Sequence, residues 1–158
     1  MTRNPPPQNE DTFHKARSRL IDSFARLENR TVIALKQAGW PIKRDTLASK
    51  LKTVREAAKT LASTEVDQML ERIAQLNQLI ADIVHGIMTL VDVDGMRFAS
   101  FRNAADAINE VQRPSQIAYQ DLKKFSEELD RLSESIAALR LNPPSWPPPP
   151  SLGAADVP

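Results

Sequence analysis

The chain has 158 residues, 41% hydrophobic and only 5% aromatic, which suits one domain with an aliphatic core. Four glycines argue against a turn-rich all-β fold, and the absence of cysteine excludes disulfides and thiolate metal sites. The net charge of +1 divides unevenly, with 13 Lys/Arg against 6 Asp/Glu in residues 1–60 and 8 against 14 in residues 61–158.

A basic half suits nucleic acid. The plainer reading is that the two halves attract each other, within one bundle or across a dimer. The N-terminus "MTRNPPPQNEDTF" lacks the apolar stretch of a secretory signal. No run approaches the roughly 18 apolar residues of a membrane span. The expectation is a soluble, cytoplasmic protein with no membrane contact.

Residues 1–10 contain "NPPP" and are expected to be a disordered tail, because proline removes an amide donor and fixes φ. The folded part is expected over 11–141. A first helix is expected from about Asp11 to Ala38, with Phe13, Leu20, Phe24 and Leu27 at helical spacing. Gly39 and Pro41 stop it. A second starts near Asp45 or Thr46 and buries Leu47, Leu51, Val54 and Ala58.

The third opens at Ser63 or Thr64, with Glu65 and Asp67 in its first turn. Its apolar stripe is Val66, Met69, Leu70, Ile73, Leu76, Ile80, Val84 and Ile87, and it ends between His85 and Thr89. Next comes "TLVDVDGMRFASFRN", in which Val91, Val93, Phe98 and Phe101 alternate with polar residues around Asp94-Gly95, a hairpin signal. "NAADAINEVQ" reads as a short helix or a loop. The last helix is expected from about Ser115 to Arg140, with Leu122, Phe125, Leu129, Leu132, Ile136 and Leu139 in steps of three and four. Residues 142–158 form a second proline-rich, disordered tail, whose "WPPPP" has the composition of a ligand for proline-binding modules. The fold class expected is all-α: four main helices with a small hairpin-like insertion before the last.

Most catalytic chemistry is missing. No Ser sits in a nucleophile elbow, and no Gly-rich loop is built to cradle phosphate. "DVDGM" has its glycine too early for a calcium loop and no acid at the loop's end. Two histidines, His14 and His85, are too few for a histidine metal site. No metal and no cofactor are expected.

His85 draws attention because it ends the apolar run "LIADIVHGIM". At about 100° per residue, Gln78, Ala81 and Ala74 share its flank, whereas Ile80, Val84 and Leu76 lie well away. The plain reading is a histidine near a helix C-terminus, with Gly86 permitting the exit turn. A flank of small residues also lets a second helix approach, from this bundle or from a second copy.

The order of "RLENR", "LASKLKTVREAAK", "ADIVHG", "DVDG", "RFASFRN" and the last amphipathic helix resembles the HEPN superfamily (higher eukaryotes and prokaryotes nucleotide-binding), from about Leu27 to Leu139. "DIVHG" is the most specific part. The resemblance implies a homodimer in which an arginine, separated from the histidine by four to six residues, meets it in a shared cleft. There the family cleaves RNA without metal. The histidine would act in acid–base chemistry and the arginine on phosphate. This chain departs from the motif: Ile80 stands at the arginine's usual place, and Leu79 and Gln78 at the alternatives. Asp82, His85 and Gly86 carry over.

The reading is therefore a catalytically degraded, ribonuclease-type scaffold that binds RNA or a protein partner, in a toxin–antitoxin or defence context implied by the family alone. A homodimer is expected with the His85 flank near its two-fold axis. The catalytic pair expected is His85 and Asp82, and the cleft or interface residues are Gln78, Ala81, Gly86 and Arg102. Two alternatives stand beside it. One is an active metal-independent endoribonuclease using His85. The other is a non-enzymatic helical interaction or assembly module.

Overall fold

A computed structural model describes residues 9–42, 46–58, 64–102 and 115–145. The segment "NAADAINEVQ" and the "WPPPP" tract lie outside the described residues.

Helix α1 spans Glu10–Gln37. The Asn9 side chain accepts the Thr12 amide at 2.9 Å, and Glu10 and Asp11 occupy the positive end of the helix. Its far end closes on Gly39, at φ +84, with the Trp40 amide donating to the Leu35 carbonyl at 3.0 Å. Only a residue that tolerates the left-handed region completes this closure cheaply. Helix α2, Leu47–Ala57, is capped by Thr46, whose hydroxyl oxygen accepts the Ser49 amide at 3.3 Å. Helices α3, Thr64–His85, and α4, Tyr119–Ala138, complete the helical part.

The fold is mostly helical but not all-α. Strands β1 (Ile87–Val93), β2 (Met96–Arg102) and β3 (Ser115–Ala118) form an antiparallel sheet in the order β1-β2-β3. The hairpin expected at Asp94-Gly95 is β1–β2. Asp94 and Gly95 both have positive φ, 51° and 77°, which makes a two-residue type I′ turn. Ile87, expected at the end of the third helix's stripe, instead opens β1. The third strand is a correction too: Ser115–Ala118, expected in the last helix, forms β3, and α4 begins at Tyr119. Four residues with no strong local preference take strand geometry here because β2 offers them a ladder, with Ile117 opposite Ala99.

The core joins all four helices to one face of the sheet. Phe13, Leu20, Leu27, Leu76, Ile80, Ile83, Leu129 and Phe101 are among its buried members. Helices α1 and α4 run parallel, matching Phe13 with Tyr119, Arg26 with Asp130 and Arg30 with Glu134. Their buried seams include Ser23 and Thr31 on α1 and Ser126 and Ser133 on α4. Small polar residues there let the two backbones approach. The apolar stripe expected for the last helix is thus displaced: Phe125 and Leu132 are only half-buried, and Ser126 and Ser133 take seam positions.

Charge follows the same architecture. Lys50 pairs with Glu28 at 2.6 Å, Arg55 with Asp67 at 3.2 Å, and Arg72 with Glu128 at 2.6 Å. Arg55–Asp67 and the two α1–α4 pairs join the basic first half to the acidic second half inside one bundle, whereas Lys50–Glu28 and Arg72–Glu128 each lie within one half. Asn142, placed by composition at the head of the disordered tail, is held. It donates twice to the Ala57 carbonyl, and its own carbonyl accepts Trp40 Nε1 at 2.7 Å.

Candidate functional site at the end of helix α3

The residues singled out by sequence do collect at one place, the junction of α3 and β1. His85 is the last residue of α3 and is exposed. Gln78 and Ala81, on its flank, are exposed as well, and Asp82 is half-buried. Arg102 ends β2, directly opposite Ile87, and is exposed.

Gly86 is buried, and its backbone explains why it is glycine. A Cβ there would stand 2.5 Å from the Asp82 carbonyl oxygen and 3.2 Å from Phe101 Cβ. Both obstacles belong to fixed structure, so the chain turns from helix to strand only where no side chain is present.

Sequence reasoning missed Arg17. From α1, its Nε donates to the Ile83 carbonyl at 3.0 Å, and its Nη2 to the carbonyls of Val84 at 3.2 Å and Gly86 at 3.0 Å. The same guanidinium lies 5.7 Å from the centre of the Phe101 ring. It therefore satisfies the carbonyls that the end of α3 leaves without helical partners, and sets a positive charge at the negative pole of the helix. One signal was available: Arg17 lies between Phe13 and Leu20 at steps of four and three, a charged residue on a core-facing stripe.

Ile80 does not share the face of His85. It is 1% exposed and belongs to the core. Of the three positions from which the motif arginine is drawn, Gln78 is the one that reaches solvent on the His85 flank, about 20° away around the helix.

Among the described residues, no hydrogen bond orients the His85 ring, and no group of three potential ligands could hold a metal. Two open grooves lie elsewhere: one beside Arg55, Asp67 and Arg72, the other beside Arg26, Asp130 and Glu134. Arg55 and Asp67 pair with each other in the first and Arg26 and Asp130 in the second. Perturbed acidity is likewise found away from His85. The hydrogen bond from Arg72 holds the Glu128 carboxyl below its ordinary range, and that from Arg97 does the same for Asp92.

No described helix is long and apolar enough to cross a membrane. Comparison with protein-family models, with curated proteins and with solved structures gives no match.

Proposed function

We propose that this chain is a HEPN-like helical module that has lost ribonuclease chemistry and works by binding, as a homodimer. The observation that carries this reading is the commitment of Arg17. It is brought to the His85 end of α3, and its donors go to backbone carbonyls rather than to an open cleft. General acid–base cleavage of RNA needs an imidazole held in place and a cation aimed at the phosphate. Among the described residues, no hydrogen bond holds the His85 ring, and the Arg17 guanidinium is turned to backbone carbonyls.

A protein partner is favoured over RNA. Four of the 13 Lys/Arg of the first half, Arg26, Arg30, Lys50 and Arg55, face carboxylates on neighbouring helices. Backbone binding to RNA draws on cations free to release counterions, and these four are already paired.

The test is incubation of the full chain with mixed RNA, beside His85→Ala and Gln78→Arg variants. The expected result is no cleavage by the parent. Cleavage that His85→Ala abolishes would restore the active-enzyme alternative. Cleavage gained by Gln78→Arg would support descent from the ribonuclease scaffold.

A further inference from the structure

The sheet has two faces, and only one belongs to the core. Met88, Leu90, Ala99, Phe101 and Ile117 point inward. On the other side stand Ile87, Val91, Val93, Met96, Phe98 and Ser100, with Ile87 75%, Met96 61% and Val93 41% exposed, Val91 and Phe98 half-buried, and Ser100 buried. β1 is also the edge of the sheet. Edge strands are commonly blunted by lysine, proline or a bulge. β1 has none of these: it reads "IMTLVDV" and pairs with β2 without interruption.

The pattern of unsatisfied backbone groups follows from the turn. In a two-residue hairpin, the residues flanking the turn exchange hydrogen bonds, and such pairs then recur at every second position. Val93, Val91, Thr89 and Ile87 therefore bond to β2. Met88, Leu90 and Asp92 direct their amides and carbonyls to the open edge. These three are symmetric about Leu90, the centre of the strand.

We infer that β1 pairs with β1 of a second copy, antiparallel about a two-fold axis at Leu90, to give one six-stranded sheet. Full overlap sets Leu90 against Leu90 and Met88 against Asp92, with about six new hydrogen bonds. On the apolar face, Ile87 meets Val93 and Val91 meets Thr89 of the second copy.

Charge selects the same arrangement. Arg17 and Arg102 lie around the start of β1, and its other end carries Asp94 beside the Asp92–Arg97 ion pair. Antiparallel pairing lays the acidic turn of each copy beside the basic end of the other and keeps like charges apart. Gly86 lies four residues from the axis, so the two His85 rings stand on the order of 25–30 Å apart. This dimer builds no shared histidine cleft. Its contact stands on the sheet alone, whatever the outcome of the RNA test.

The chain has no native cysteine, which makes the register testable. Thr89 and Val91 of the two copies would form a non-hydrogen-bonded pair, close enough for a disulfide, whereas 89 to 89 and 91 to 91 are offset by two residues. Both side chains point away from the core. Full-length Thr89→Cys and Val91→Cys proteins, mixed under mild oxidation, should cross-link at least several-fold faster than either alone. Gln78→Cys on α3 serves as the control for a helix-mediated dimer. Sedimentation equilibrium at chain concentrations up to about 0.5 mM should show dimers. Asp94→Asn, which keeps the turn, should weaken them several-fold. A monomer throughout, faster cross-linking of Gln78→Cys than of the mixture, or equal rates for the mixture and its components would overturn the inference.

Discussion

The guanidinium of Arg17 and the carbonyl of Gly86 meet at 3.0 Å across the boundary between α1 and the end of α3. One side chain closes three carbonyls and holds the helix at the point where the sheet begins. Arg17→Ala should therefore cost about 2 kcal/mol, because it strips charged donors from half-buried acceptors. Arg17→Lys should recover less than half of that loss, since a point charge cannot reach carbonyls spread along the turn as a planar fork does. Urea unfolding midpoints of the three proteins check both statements.

The burial of Ile80 separates it from Gln78. Ile80→Arg forces a charge into the core and should destabilise the chain on the order of 4 kcal/mol or more, enough to unfold much of it. Gln78→Arg, on the exposed flank, should stay within about 0.5 kcal/mol of the parent. Thermal unfolding followed by circular dichroism distinguishes the two. A stable, folded Ile80→Arg protein would contradict the packing of α3.

The α1–α4 seam gives a third expectation. Ser133 and Ser126 are both buried on α4, but only Ser126 has a hydroxyl partner, the Leu122 carbonyl at 3.1 Å. Ser133→Ala should raise stability by about 1 kcal/mol, because it removes a hydroxyl that was stripped of water and left without a bond. Ser126→Ala gains the same helix propensity but loses a hydrogen bond, so its benefit should be smaller. The difference between the two variants in chemical denaturation reads the cost of the unbonded hydroxyl.

Acid should weaken the contact between α3 and α4. The hydrogen bond from Arg72 lowers the Glu128 pKa beneath its usual 4.5. A carboxylate lowered in the folded state contributes stability above its unfolded pKa and loses it as pH falls through the folded one. Both partners are partly exposed, so solvent screening limits the contribution to roughly 0.5 kcal/mol at neutral pH. Glu128→Gln should be less stable than the parent by that amount at pH 7. The gap should close as the pH is lowered below 4.5. A gap that persists in strong acid would assign the effect to packing rather than charge.

Much of the fold can be read from the sequence, because helices and tight turns are written locally. Thr46 and Gly39 mark helix ends by their own chemistry, whereas Asn9 falls in the stretch that its prolines assign to a tail. Asp94-Gly95 specifies a type I′ turn because few other pairs accept two positive φ angles. The spacing of Leu70, Ile73, Leu76 and Ile80 fixes the buried side of α3, and the helical angle alone put His85 off that side. The chain by itself also placed the end of α3 between His85 and Thr89, and the structure sets it at His85.

Tertiary structure decided the rest. Ser115–Ala118 became a strand because β2 lay beside it, a contact no local pattern encodes. Ser126 and Ser133 entered the seam because α1 and α4 come close, and small size rather than hydrophobicity is what close backbones demand. The role of Arg17 depends on carbonyls 66 to 69 residues away along the chain. Whether an arginine near a histidine faces a phosphate or a helix end is settled by where its donors point, and that direction exists only in the folded molecule.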